Sequence, residues 1–200
     1  MYTWIIDHYI ELFGAVTGIL YVILEVRQNT WLWPVGIITS AVYIIVFFNT
    51  KFYADMGLQV YYLFISIYGW YFWVRGPSNA ATGSVPVASI RKNVALVLAM
   101  VFIILFVLIW LILLEFTDSP VPGWDSFTTS VSIIATWMLA RKIIEHWYLW
   151  IIADMVSMGL YIFKGMYPTV VLFALYTAMA FVGLQSWKKD LVKERQTYHG

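Results

Sequence analysis

Seven long apolar stretches run along this chain, at about 9–26, 31–49, 55–74, 94–114, 126–140, 147–163 and 168–187, with short polar breaks between them. A helix needs roughly 20 mostly apolar residues to cross a bilayer, fewer where the bilayer thins. Each stretch is therefore expected to span a membrane as an α-helix. The fourth, 94–114, is uninterrupted and apolar all round. The segment 76–89 (GPSNAATGSVPVAS) reads as a flexible linker by composition. The polar tail after Trp187 is expected to fray.

The first and last thirds match one another. A shift of 114 positions superposes Trp33 on Trp147, Tyr53 on Tyr167, Tyr62 on Tyr176, Gly69 on Gly183 and Trp73 on Trp187. It also brings Arg27 onto Arg141 and Glu11 onto Asp125. Seven matches in register across three successive segments argue for duplication. The fourth stretch has no counterpart, so the order is three helices, one linker helix, three helices. Three crossings are odd, and the extra helix restores the orientation of the second triplet. The expected architecture is an all-α integral membrane protein of seven transmembrane helices with 3+1+3 parallel repeats, a SWEET-like arrangement. Duplicated units of this kind usually hold a substrate site between the halves near mid-membrane. The expected divisions are 1–75 for the first repeat and 76–118 for the inner linker with helix four. The second repeat follows at 119–189 and a cytoplasmic tail at 190–200, all within a single transport domain.

Charge sets an expected orientation. With the N-terminus outside, the inner side receives Arg27, Arg75, Arg91, Lys92, Arg141, Lys142, Lys188, Lys189, Lys193 and Arg195. The outer side receives only Lys51 and Lys164. This bias predicts N-out, C-in.

Composition agrees with the pattern. The chain is 62% hydrophobic and 12% charged, whereas a soluble domain is roughly half apolar and a quarter charged. A net charge of +1 gives no reason to expect nucleic acid, and the absence of cysteine excludes disulfides and thiolate chemistry. Without a basic n-region or a small-residue cleavage site, the first stretch is expected to be a retained helix.

Candidate chemistry gathers on a few helix faces. Trp147, Trp150, Asp154 and Tyr161 are spaced by three, four and seven, which aligns them on a helix. A carboxylate inside a span is expensive and marks a cavity or a partner, and indole faces beside it suit a flat organic cation. The alternative reading makes the tryptophans interfacial belt residues and pairs Asp154 with a hydroxyl. In the third segment Asp55, Gln59, Tyr62, Ser66, Gly69 and Trp73 form one stripe. Gln59 and Ser66 are candidate ligand contacts, although polar side chains also join helices in lipid. The matching stripe in the seventh segment is Thr169, Phe173, Tyr176, Ala180, Gly183 and Trp187, whose small residues favour close packing. The second segment offers Trp33, Ser40, Tyr43 and Phe47. Ser40 is the repeat counterpart of Asp154, so the halves diverge where a site is expected, as an asymmetric ligand would require. Glu25, Arg27 and Arg141 read as inner-side anchors. Pro34 and Pro168 sit in first turns, where proline is tolerated.

Enzyme signatures are absent: there is no HExxH, no G-x-S-x-G and no P-loop. His8, His146 and His199 are far apart, so no metal site and no catalytic residue is expected. The seventh segment has no mid-helix lysine for retinal.

W-Y-L-W-I-I-A-D (147–154) resembles the tryptophan-rich motif of the PnuC vitamin transporters. K-F-Y-A-D-M-G-L-Q-V-Y-Y (51–62) with I-Y-G-W-Y-F-W (67–73) resembles their helix two–three region. The resemblance covers nearly the whole chain. It implies a homotrimer in the bacterial inner membrane that carries nicotinamide riboside without ATP, cofactor or an obvious coupling ion. A cytoplasmic kinase then traps the substrate by phosphorylation. It implies Trp147, Trp150 and Asp154 as substrate contacts, with Tyr161 and Gln59 as further ones; Tyr62, Ser66, Ser40, Tyr43 and Tyr176 are substrate-binding candidates from the helix faces. Some members have Asn where this chain has Asp154, and a branch of the family is thought to carry thiamine. Both vitamins present a flat cationic ring, so either fits, with the reading leaning to nicotinamide riboside. Alternating access is the expected mechanism. A non-transporting receptor or scaffold is the competing class.

Overall fold

The computed structural model describes residues 9–49, 51, 53–77 and 85–199. His8 and the middle of the linker, 78–84, lie outside the described residues, as do the side chains of Glu11, Tyr53, Arg195 and His199. Seven helices are present among the described residues: α1 (Tyr9–Val26), α2 (Leu32–Asn49), α3 (Tyr53–Arg75), α4 (Lys92–Phe116), α5 (Pro122–Ala140), α6 (His146–Phe163) and α7 (Tyr167–His199). A bilayer offers the backbone no water, so each spanning segment must satisfy its own N–H and C=O groups, and helices do so within one segment. Pro34 and Pro168 lie in the first turns of α2 and α7, and Pro122 opens α5, where a missing N–H leaves nothing unpaired.

The chain divides after Val85 into two compact units. In the first, α2 packs on both α1 and α3. In the second, α4 packs on α5, α5 on α6 and α6 on α7. α4 has no buried residue at all, and Leu96, Ile103, Ile104 and Leu111 are well exposed. Such a surface is stable only with lipid against it. The packed side of α4 meets a cluster of Ile134, Met138 and Ile143, and Phe102 sets its ring edge-on to Phe127 at 5.8 Å.

The connections repeat at the same offset as the sequence. α1 ends with Gln28 at φ 52°; its N–H bonds the Glu25 carbonyl at 3.0 Å, and that of Asn29 bonds Leu24 at 2.9 Å. α5 ends with Lys142 at φ 53°; its N–H bonds Leu139 and that of Ile143 bonds Met138, both at 2.9 Å. Each is a Schellman cap with a non-glycine residue in the left-handed position, and every atom of the second lies 114 positions after the first. The next pair is Lys51 at φ 63° and Gly165 at φ 71°. Their N–H groups bond Phe48 at 3.2 Å and Ile162 at 3.0 Å, again 114 apart.

Two expectations change. The linker's last part is pinned: Ala88 exchanges hydrogen bonds with the α5–α6 turn, its N–H to Lys142 at 3.0 Å and its carbonyl from Ile144 at 2.9 Å. The Glu145 carboxylate accepts the Ile90 N–H at 3.0 Å, and Val85 and Val87 are buried. Flexible composition yields here to backbone pairing with a turn. The tail likewise continues α7 as helix, because Leu191, Lys193 and Gln196 are good helix formers and Asp190 lies three residues before Lys193, the spacing of a supporting ion pair.

Gly165 meets no other atom within 4 Å of the place a Cβ would occupy. Its replacement by alanine therefore tests the left-handed backbone alone. Gly165→Ala is expected to destabilise by about 1 kcal/mol, roughly 2–4 °C in the thermal midpoint of the detergent-purified protein.

Candidate functional site

Tight seating of tryptophan on glycine fixes α6 against α7. A Cβ on Gly183 would collide with the Trp147 indole. That indole is fully buried and meets Trp187 edge-on at 5.8 Å and 85°. His146 completes the cluster, 4.6 Å from the Trp147 ring and 4.8 Å from Trp187, with Nδ1 2.6 Å from the Ile143 carbonyl oxygen. In the first unit Gly69 receives the Trp33 indole in the same way, and Trp33 meets Trp73 edge-on at 5.4 Å and 87°. Gly183 thus has the close-packing role expected of it. Trp147 is committed to α7 over most of its surface, while its Nε1 has no hydrogen-bond partner.

This seating orients the rest of the α6 face. One turn on, Trp150 is half-buried and its Nε1 also lacks a partner. Asp154, another turn on, is 7% exposed. A buried, unpaired indole N–H is a group that a ligand oxygen would satisfy. Farther along, Tyr161 stacks on Phe173 at 5.2 Å, and Phe173 meets Tyr176 edge-on at 5.8 Å. Lys164 lies 5.8 Å from the Tyr161 ring centre and 3.8 Å from Asp125, whose other oxygen accepts the Ser119 hydroxyl at 2.6 Å. The second unit thus brings Trp147, Trp150, Asp154, Tyr161 and Tyr176 onto one α6–α7 pair.

The first unit carries the other candidates. Ser66 on α3 and Tyr21 on α1 converge on Gly36 of α2: a Cβ there would lie 2.8 Å from Ser66 Oγ and 3.1 Å from the Tyr21 ring. Ser40, one turn beyond Gly36, is buried, as is Ser66. Tyr43 is used differently. Its hydroxyl donates to the Ile10 carbonyl at 3.3 Å and its ring end presses on Gly14, so it ties α2 to α1. Gln59 and Tyr62 are half-buried on α3, and Tyr62 meets Tyr61 at 5.6 Å.

Two residues, Gly36 and Ser130, escaped the sequence reading, and Glu25 was read without its burial. Gly36 is the repeat counterpart of Trp150, and carrying the 114 offset one turn back from Ser40 would have found it. Glu25, read as an inner-side anchor or salt-bridge residue, is only 2% exposed and is a buried carboxylate. Ser130 on α5 is fully buried with no partner for its hydroxyl. It stands 11 residues before Arg141, and Asp154 stands 9 after Glu145. At 1.5 Å per residue the two lie about 16 and 14 Å from the connecting turn, at nearly one depth. Ser130 lies among Ser126, Thr128, Thr129 and Ser132, so the sequence alone does not single it out.

Known proteins similar to this chain are membrane transporters. Residues 8–189 match the family model described as nicotinamide mononucleotide transporter. The nicotinamide riboside transporter PnuC of Escherichia coli (strain K12) is 25% identical over 202 residues, covering 90% of this chain and 84% of that protein. The riboflavin/roseoflavin transporter RibM of Streptomyces davaonensis is 26% identical over 183 residues, covering 88% and 83%. The fold is similar to a crystal structure of the vitamin B3 transporter PnuC, with a TM-score of 0.73 at 21% identity over 96% of this chain and 86% of that one.

If tryptophan on glycine holds the pair, an added methyl should be felt at once. Gly183→Ala is expected to destabilise by about 1–3 kcal/mol through overpacking, and Gly69→Ala by a similar amount. Gly159→Ala, in open space on α6, should be neutral or stabilising by up to about 1 kcal/mol. Thermal unfolding of the three variants side by side makes the comparison.

Proposed function

This chain belongs to the nicotinamide mononucleotide transporter family, that of the PnuC proteins, and on that premise we propose that it imports nicotinamide riboside by facilitated, alternating-access transport. It is a vitamin transporter of the inner membrane and not an enzyme. The observation that carries the substrate reading is Asp154, a carboxylate buried mid-helix on the same face as Trp150. Coulomb attraction in a low-dielectric site strongly favours a cation there, and an indole face adds cation–π attraction. The nicotinamide ring of the riboside is a flat cation. Trp150 Nε1, Trp147 Nε1 and the Ser130 hydroxyl are buried and unpartnered, and they suit the ribose and carboxamide oxygens. Tyr161 and Tyr176 are further candidate contacts, as are Gln59, Tyr62, Ser66 and Ser40 of the first unit.

Thiamine is also a flat cation and is the second reading. RibM is named for riboflavin, which is neutral and gains no charge attraction from Asp154. The proposed architecture is two parallel three-helix repeats joined by α4, N-out and C-in. The paired left-handed caps, the paired tryptophan–glycine seats and the ten-to-two basic bias support it. Family resemblance supports a homotrimer and trapping by a cytoplasmic kinase.

Titration of tryptophan fluorescence with nicotinamide riboside, thiamine and riboflavin tests the substrate. Saturable quenching by the riboside alone is expected; quenching by thiamine alone would reassign it, and a riboflavin response would remove Asp154 from the argument. Asp154→Asn should weaken binding about ten- to hundred-fold, the loss of a hydrogen bond to a charged group, with the thermal midpoint preserved. In kinase-free proteoliposomes, uptake should equilibrate and resist a protonophore. No flux at all would favour a receptor or scaffold.

A further inference from the structure

A groove of about 410 Å3 runs between α4, α5 and α6 of the second unit. Its walls are apolar, with Ala95, Ala99 and Phe102 on α4 facing Ile134 on α5 and Ile152 on α6. At one end stand Ile90 and Glu145, and Phe102 marks the other. From Lys92, where α4 begins beside Ile90, to Phe102 is ten residues, about 15 Å at 1.5 Å each. One leaflet contributes half of a hydrocarbon core roughly 30 Å thick, about 15 Å. The groove is therefore about as long as one leaflet is deep. A spanning helix of a second copy would need a seat nearly twice that length.

The end marked by Ile90 is basic. Arg91 and Lys92, both exposed at the start of α4, put positive charge at this mouth. Glu145 is the opposing charge, and one of its oxygens already accepts the Ile90 N–H. Basic residues at the interfacial mouth of an apolar inter-helix groove are the setting in which anionic lipid headgroups bind. We propose that this groove seats one acyl chain of an anionic phospholipid, with the headgroup phosphate on Arg91 and Lys92. The lipid would brace α4 against α5 and α6 at the point where the linker is pinned. The inference does not rest on the substrate reading, since none of these residues belongs to the Trp150–Asp154 face.

The test is thermal unfolding of the full chain, delipidated in detergent and then supplied with phosphatidylglycerol, phosphatidylcholine or inorganic phosphate. Phosphatidylglycerol is expected to raise the midpoint by about 5 °C more than phosphatidylcholine near saturation, with phosphate alone giving no shift. Arg91→Gln combined with Lys92→Gln should abolish the difference between the two lipids. Ala99→Phe, which fills the groove, should abolish the response to phosphatidylglycerol. Equal shifts from both lipids would overturn the proposal, as would a full shift from phosphate alone. A loss of oligomeric mass in Ala99→Phe would show that another copy occupies the groove and would also overturn it. Should Ala99→Phe fail to fold, the double variant, altered only at exposed side chains, decides the matter.

Discussion

An indole seated on a glycine holds each helix pair that matters here. In lipid, apolar side chains gain nothing by leaving their solvent, so helices associate through close packing and polar contacts. Gly183 lets the Trp147 ring reach the α7 backbone, and Trp187 and His146 close around it. Gly69, Trp33 and Trp73 do the same between α2 and α3. With that contact fixed, the rotation of α6 about its axis is fixed too. Trp150 and Asp154 then have a single direction in which to present their polar groups.

Most of the helix boundaries were legible from hydrophobic runs, because a spanning segment must be long and apolar whatever it touches. The predicted 9–26 and 147–163 coincide with α1 and α6 to within one residue. What could not be read was each residue's partner. Periodicity put Trp147 on a face with Asp154, but belt, ligand wall and packing knob share the same spacing. Tyr43 looked like a path residue, and its hydroxyl is spent on the Ile10 carbonyl. Ser130 and Glu25 carry no pattern, since burial is a property of the folded chain. The pinned end of the linker depends on a turn some 55 residues away, beyond the reach of local composition.

The units differ where an asymmetric ligand would demand it. Trp150, Asp154 and Ala180 in the second unit stand where the first has Gly36, Ser40 and Ser66. The exchange is a large aromatic and a charge against two small residues, with the hydroxyl moved to the third helix. Both copies kept the tryptophan–glycine seat while the positions around it diverged, as expected if the seat maintains the fold and its neighbours meet the substrate.

The helix caps carry a different lesson. Gln28, Lys51 and Lys142 hold left-handed backbone that glycine would adopt more easily, and only Gly165 of the four is glycine. Hydrogen bonding of the cap, together with the helices on either side, maintains that conformation without the residue best suited to it. Side chains at these corners are therefore free to drift while the corners stay put. Across the two units, then, the 114-residue correspondence is kept more faithfully in the positions of left-handed residues than in the letters occupying them.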